Sequence, residues 1–251
     1  MLHYLTIPVT AFQQNCSLIW DDASMQAAVI DPGGDLDVLL DAVAKLGLQL
    51  EQVWVTHGHL DHFADAPALA KLNNVPMYAP GDMNSTVVAL GILPPELAPR
   101  FNKTGMVEPA PGIKVTAVHA EHSSVIVWKS PATGKDETHV GGEPIGFIIE
   151  LEDGFKIYHM GDTGLFGDMK MIASYYKPDL LLIPIGGNFT MGPKDAAYAA
   201  RELLNIFKII PMHYGANPLA KGTSQEFLGF MKDSKLSVFV LKPGESKSFE
   251  R

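Results

Sequence analysis

The sequence predicts an α/β protein whose two sheets pack face to face with helices outside, a four-layer αββα arrangement within one domain spanning residues 1–251. Three observations carry that expectation. The opening of the chain is a series of short apolar strand-like runs separated by polar turns. Strand-like and helix-like segments then alternate through each half, an order that suits layered sheets with helices on their outer faces. No motif repeats with a period of 20 to 50 residues and no low-complexity tract separates the halves, so a single domain is the simplest organisation.

Residues 2–9, 16–20 and 27–30 read as three antiparallel strands, the last stopped by Asp31-Pro32-Gly33-Gly34. Asp31 stands where an open sheet presents functional groups, and ordinary turn chemistry explains it as well as a supporting role does. Residues 35–46 fit a helix with Asp35 as N-cap, Leu36, Leu39, Leu40 and Val43 on one face and Gly47 as stop. Residues 53–56 end a buried strand, and residues 63–72 read as a helix. A strand at 75–79 and a helix at 82–90 follow, then Pro94, Pro95 and Pro99 break regular structure. Strands at 112–118 and 125–128 flank His119 and His122. The polar stretch 129–144 reads as a solvated hairpin loop, with a flap over substrate as the alternative. A hairpin at 145–151 and 155–159 turns through Glu152-Asp153-Gly154. The apolar run 179–185 is a buried strand, Pro193 suits the first turn of a helix continuing over 195–207, and 208–211 is the next strand. A helix at 224–231 and strands at 237–241 and 246–249 complete the chain.

The chemistry concentrates in His57-Gly58-His59-Leu60-Asp61-His62, three imidazoles and a carboxylate on the turn between a strand and a helix. Imidazole nitrogen and carboxylate oxygen are ligands that Zn²⁺ accepts in catalytic sites, and they also suit Fe or Mn. His57 and His59 can project to one side of an extended turn while Asp61 and His62 point elsewhere, so one turn can serve two metals. A strand-end ligand is expected at His119 or His122. Asp162, with glycines at 161 and 164, can approach two cations closely and reads as a bridging ligand. His213 is a ligand by position, following a buried strand.

His57-x-His59-x-Asp61-His62 resembles the signature of the metallo-β-lactamase superfamily, whose hydrolytic members hold two metals at the edge of an αββα sandwich. The resemblance implies that Asp31 braces the ligand turn. It also implies that His122, which stands between an acidic residue and Ser123-Ser124, is the third ligand, leaving His119 as a solvated or supporting residue. From about Asn102 onward the chain is similar to a bacterial family of metal-dependent hydrolases related to ascorbate-phosphate lactonase. The likeness rests on Gly141-Gly142-Glu143-Pro144, His159-Met160-Gly161-Asp162-Thr163, Phe166-Gly167-Asp168-Met169, Pro184-Ile185-Gly186-Gly187, Thr190-Met191-Gly192-Pro193 and His213-Tyr214-Gly215. The opening, with Asp31-Pro32-Gly33-Gly34 and the histidine turn, is instead similar to glyoxalase II-like thioesterases, which places a seam between Ala64 and Asn102.

The expected ligand sets are His57, His59 and His122 for one divalent ion and Asp61, His62 and His213 for the other, with Asp162 between them. Zinc is the favoured metal, with Mn or Fe as alternatives. Hydroxide made available by the pair would attack an ester, lactone or thioester carbonyl, with Asp61 assisting proton transfer and Tyr214 donating a hydrogen bond to the oxyanion. Phosphodiester cleavage is the hydrolytic alternative, and iron-dependent redox chemistry the other. The flavodiiron pattern has Glu where His59 stands, which weighs against redox.

A hydrophobic content of 47% with 19% charged residues is ordinary for a globular enzyme. The formal charge of -9 disfavours nucleic acid as partner and leaves a small-molecule substrate. No apolar run approaches the roughly 20 residues needed to span a bilayer, and the first residues lack a secretion-signal pattern, so a cytoplasmic location without membrane association is expected. The single cysteine, Cys16, excludes an intramolecular disulfide and a thiolate-rich metal site. The family resemblance is compatible with a homo-oligomer.

Overall fold

The computed structural model describes residues 1–215 and 218–250. Its first elements are β1 (Leu2–Val9), β2 (Gln14–Asp21), β3 (Gln26–Ile30), α1 (Leu36–Lys45), β4 (Gln49–Trp54), α2 (Leu60–Phe63), α3 (Ala66–Asn73), β5 (Met77–Pro80), α4 (Gly81–Ala89) and β6 (Arg100–Phe101). Next come β7 (Met106–Ala110), β8 (Ile113–His119), β9 (Val125–Lys129), β10 (Asp136–Val140), β11 (Ile145–Glu150) and β12 (Lys156–His159). The last are α5 (Met169–Tyr176), β13 (Leu180–Pro184), α6 (Pro193–Tyr198), β14 (Lys208–Met212), α7 (Ser224–Met231), β15 (Ser237–Val238) and β16 (Ser246–Phe249).

These elements form two compact units, the first from residues 1–102, 123–144 and 242–250, the second from 103–122 and 145–241. The first holds a seven-stranded sheet in the order β16-β1-β2-β3-β4-β5-β6 and the separate hairpin β9–β10. Pairing is antiparallel from β16 to β3 and parallel from β3 to β6. Leu18, Val29, Val53, Phe63, Leu69 and Met77 lie in its core. The second holds the sheet β15-β14-β13-β12-β11-β8-β7. There β12 to β15 run parallel, while β11, β8 and β7 add antiparallel strands. Every residue of β13 is buried, as its unbroken apolar run requires of a central parallel strand.

That mixture of parallel and antiparallel pairing positions the chemistry. Functional groups of open α/β sheets gather beyond the carboxyl ends of parallel strands. Asp31 follows β3, His57 follows β4, Asp162 follows β12 and His213 follows β14.

Several local expectations fail for physical reasons. Asp35 makes no side-chain cap to α1, because its Oδ2 accepts from the Thr10 amide at 2.7 Å; Asp65 Oδ2 takes the Leu36 amide instead. The helix expected over 63–72 is two pieces, α2 and α3, separated around Asp65. The stretch 129–144 contains a paired strand, β10. The helix begins at Pro193 as expected but, instead of continuing to 207, widens into a π-helical turn at Ala199–Leu204 and is ended by Asn205 at φ 50°. Strand β7 and helix α5 were not expected. In α5 the exposed Met171 and Tyr175 lie on the face opposite buried Met169, Ile172 and Ala173, so apolar residues on both faces hide the helical period. Among the described residues no helix is long and apolar enough to cross a membrane.

Gly33 and Gly47 serve the fold differently. A Cβ on Gly33 would overlap the Asp61 carbonyl and the His62 amide, whereas Gly47 faces open space at φ 65°. Gly33→Ala is therefore expected to lower unfolding free energy by about 1–3 kcal/mol through overpacking, and Gly47→Ala by only about 1–2 kcal/mol through left-handed strain. Urea denaturation, with the larger shift at Gly33, checks the order.

Candidate functional site

The ligand turn of the first unit is organised by Asp31. This residue is 1% exposed and sits at φ 57°, a conformation costly for a side chain other than glycine. Its Oδ1 accepts from the Thr56 amide at 2.7 Å and its Oδ2 from the Thr56 hydroxyl at 2.8 Å. The same Oδ2 lies 3.0 Å from His62 Nδ1.

These contacts fix hydrogens. With the Thr56 hydroxyl hydrogen committed to Asp31, Oγ1 can only accept from His57 Nδ1, which lies 3.0 Å away. His57 Nε2 is left with its lone pair, and His62, whose Nδ1–H faces Asp31, likewise presents Nε2. A single carboxylate thus orients two imidazoles so that each presents Nε2, as outer partners of metal-binding histidines do.

The rings of the turn crowd together, with the His57 centroid 4.2 Å from that of His62 and 4.6 Å from that of His59. His57 Nε2 is 3.0 Å from His59 Nδ1, close to the ~3.3 Å edge of a tetrahedral zinc shell with ~2.0 Å bonds. His62 Nε2 is 3.7 Å from Asp61 Oδ2. Within the turn His57 thus stands against both His59 and His62, and Asp61 against His62. Both donor types suit zinc.

In the second unit Asp162 is the centre. Its Oδ2 lies 3.2 Å from His213 Nε2 and 3.8 Å from His122 Nε2, and the three side chains are 4%, 13% and 8% exposed respectively. A carboxylate flanked by two ring nitrogens has the chemistry of a ligand shared between cations. His213 stands at φ 54°, and a Cβ on Gly186 would overlap its carbonyl oxygen, so strain and a glycine together hold the strand end. Thr163 accepts the Glu121 amide at 2.9 Å while the Gly164 amide donates to the Glu121 carbonyl at 2.8 Å, tying the loop of Asp162 to the residue before His122.

His119 is not in this cluster. Its Nδ1 meets Lys103 Nζ at 3.0 Å, its Nε2 meets Glu121 Oε2 at 3.3 Å, and its ring stands edge-on to Phe166. Tyr214 packs against the core of the second unit, and burial pushes its phenol pKa up, partly offset by a hydrogen bond with Ser224. Sequence reasoning passed over Thr56. A hydroxyl directly before a histidine and downstream of a buried Asp is the signal that points to it.

Residues 28–214 match the family model described as the Beta-lactamase superfamily domain. A UPF0173 metal-dependent hydrolase from Polaromonas sp. is 66% identical over 225 residues, covering 88% of this chain and 82% of that protein. Another from Rubrobacter xylanophilus is 43% identical over 198 residues, 78% of each. Among solved structures, a metallo hydrolase from the hyperthermophilic archaeon Ignicoccus hospitalis superposes with TM-score 0.78 at 26% identity over the whole of both chains. The metallo-beta-lactamase fold protein YhfI from Bacillus subtilis superposes at 0.70 over 98% of each chain with 15% identity, a likeness of fold alone. The 225-residue match exceeds the stretch from Asn102 to the end, so the family likeness runs across the expected seam, which is not a boundary.

Asp31→Asn keeps the volume but turns an acceptor toward His62 into a donor, and is expected to weaken Zn²⁺ binding about 10–100-fold. Titration against a chromogenic chelator measures the change.

Proposed function

Because the chain belongs to the UPF0173 metal-dependent hydrolase family of the metallo-β-lactamase superfamily, we propose that it hydrolyses an ester, lactone or thioester bond of a small molecule at a centre of two divalent ions. In this reading the two units make one catalytic domain. His57, His59 and His122 hold one ion, Asp61, His62 and His213 the other, and Asp162 is common to both. Zinc is the metal the donor set favours. The observation that carries the reading is the Asp31–Thr56 pair, which leaves His57 Nε2 and His62 Nε2 as lone-pair donors beside His59 Nδ1 and Asp61 Oδ2.

When bound, two such ions supply Lewis acidity and bring the pKa of a coordinated water to about 7. The protein's own groups do the rest. Asp61, 19% exposed in its side chain, can take a proton at the carboxylate oxygen not engaged by the ion. Tyr214 stays protonated because burial raises its pKa, and its phenol is positioned by Ser224 to donate to a carbonyl oxygen as charge develops there.

Metal analysis of the purified protein is expected to find two divalent ions per chain, zinc foremost. A panel of esters, lactones, thioesters and phosphodiesters should show turnover with the carbonyl substrates, abolished by chelation and restored by zinc. His59→Ala should lose metal and turnover together while keeping a cooperative unfolding transition. Carbonyl hydrolysis at the parent rate by the metal-free protein would end this reading, and an iron-loaded protein with redox turnover would replace it.

A further inference from the structure

The hairpin β9–β10 begins three residues after His122, and its first strand lies along the histidine turn of residues 57–62. Val125 and Ile126 approach Gly58 so closely that a Cβ there would stand 2.9 Å from the Val125 carbonyl oxygen and 3.1 Å from Ile126 Cγ1. Ile126 is fully buried in the core of the first unit. At the other end of the turn the Trp128 ring packs on Phe63, centroids 6.2 Å apart, one residue beyond His62. Strand β9 thus brackets residues 57–63, while β10 is largely exposed, Val140 being 65% accessible.

One hydroxyl joins these parts. Ser124 Oγ accepts from the Gly58 amide at 3.0 Å and donates to the Gly141 carbonyl at 2.8 Å. A backbone amide only donates and a carbonyl only accepts, so the hydroxyl hydrogen has one possible direction. Glycines flank the Ser124–Val125 peptide on both sides: Gly58 faces Val125, and a Cβ on Gly141 would overlap Ser124 Oγ and come within 2.8 Å of the Val125 amide nitrogen. Next to this contact the Ser123 hydroxyl lies 3.4 Å from His59 Nε2, the ring nitrogen turned away from His57.

We propose that Ser124 is a positioning residue of the metal centre, its hydroxyl clamping the peptide between His57 and His59 to both roots of the β9–β10 hairpin. The clamp fixes Gly58, and through it the separation of His57 Nε2 and His59 Nδ1; Ser123 orients the second ring. Displacement of the hairpin is then transmitted to this donor pair. The inference rests on the metal-centre reading for its consequence, but the clamp itself is built from protein groups alone.

Two measurements separate those layers. In metal-free protein, hydrogen exchange of the Gly58 amide should be at least tenfold faster in Ser124→Ala than in the parent, with Ser124→Cys between them. With Co²⁺ as probe, Ser124→Ala should bind about 10–100-fold more weakly than the parent and with an altered visible absorption spectrum. Gly141→Ala, which disturbs the clamp from the hairpin side without touching a ligand, should change the spectrum and affinity in the same direction. Circular dichroism identifies any variant that fails to fold, and Ser124→Cys and Gly141→Ala then carry the comparison. Unchanged Gly58 exchange in a folded variant overturns the clamp. Faster exchange with parental Co²⁺ affinity and spectrum overturns its role at the centre. A parent chain that binds no Co²⁺ overturns the metal-centre reading and leaves the exchange result to judge the clamp.

Discussion

The carboxylate of Asp31 lies at the carboxyl end of β3, 1% exposed, on a left-handed backbone. Burying an ion there costs several kcal/mol unless donors replace its water. The Thr56 amide, the Thr56 hydroxyl and His62 Nδ1 surround it. Charge-assisted bonds of this kind contribute about 1.5–3 kcal/mol each, enough to offset the burial and to hold β3 and the turn after β4 in one register. The consequence reaches beyond stability. The same bonds decide which nitrogen of His57 and of His62 carries hydrogen, and an imidazole with the wrong tautomer cannot ligate where it points. The orientation of the histidine turn therefore depends on a residue outside it.

Around that interaction the fold allots space by removing side chains. Gly33 lets the Asp31 turn run against the Asp61–His62 peptide, Gly58 lets β9 run against the histidine turn, and Gly186 lets the end of β13 run against His213. Each is a close approach of two backbones and not a demand for unusual φ. Strain appears instead at Asp31 and His213, where the side chain is needed and glycine cannot serve. Parallel strands supply the rest, since their carboxyl ends present the chain's turns on the same edge of each sheet.

Much of this was legible in the sequence. The short strands of the opening, the buried run at β13 and the ligand turn follow from apolar patterning and from the density of His and Asp between 57 and 62. The metallo-β-lactamase fold that the family model and the solved relatives share was implied by that turn. What escaped depends on tertiary partners. Asp35 has the sequence of an N-cap but spends its carboxylate on Thr10, which only the neighbouring hairpin brings near. Strand β10 is mostly exposed and polar, so periodicity gives no sign of it; pairing with β9 makes it a strand. The π-helical turn at 199–204 is invisible for a similar reason, because Ala199, Ala200 and Leu204 keep helical spacing in sequence while burial adjusts the winding. Asp31 was legible as a residue, but its hold on two histidines was not, since it acts through Thr56.

The cluster of the second unit completes the argument from chemistry. Asp162 Oδ2 has His213 Nε2 at 3.2 Å and His122 Nε2 at 3.8 Å, all largely buried. In a metal-free protein a ring hydrogen pointed at the carboxylate satisfies both partners. A cation bound by the same atoms must displace that hydrogen, because a nitrogen cannot both carry it and ligate. If Asp162, His122 and His213 held an ion, its binding would release that hydrogen as a proton, making affinity fall with falling pH. In the first unit Asp31 and Thr56 hold hydrogens of His57 and His62 on the far side of each ring, and the hydrogen between His57 Nε2 and His59 Nδ1 is the one that would have to yield. Each cluster, taken by itself, would thus trade a ring hydrogen for a cation, at His59 in one and beside Asp162 in the other.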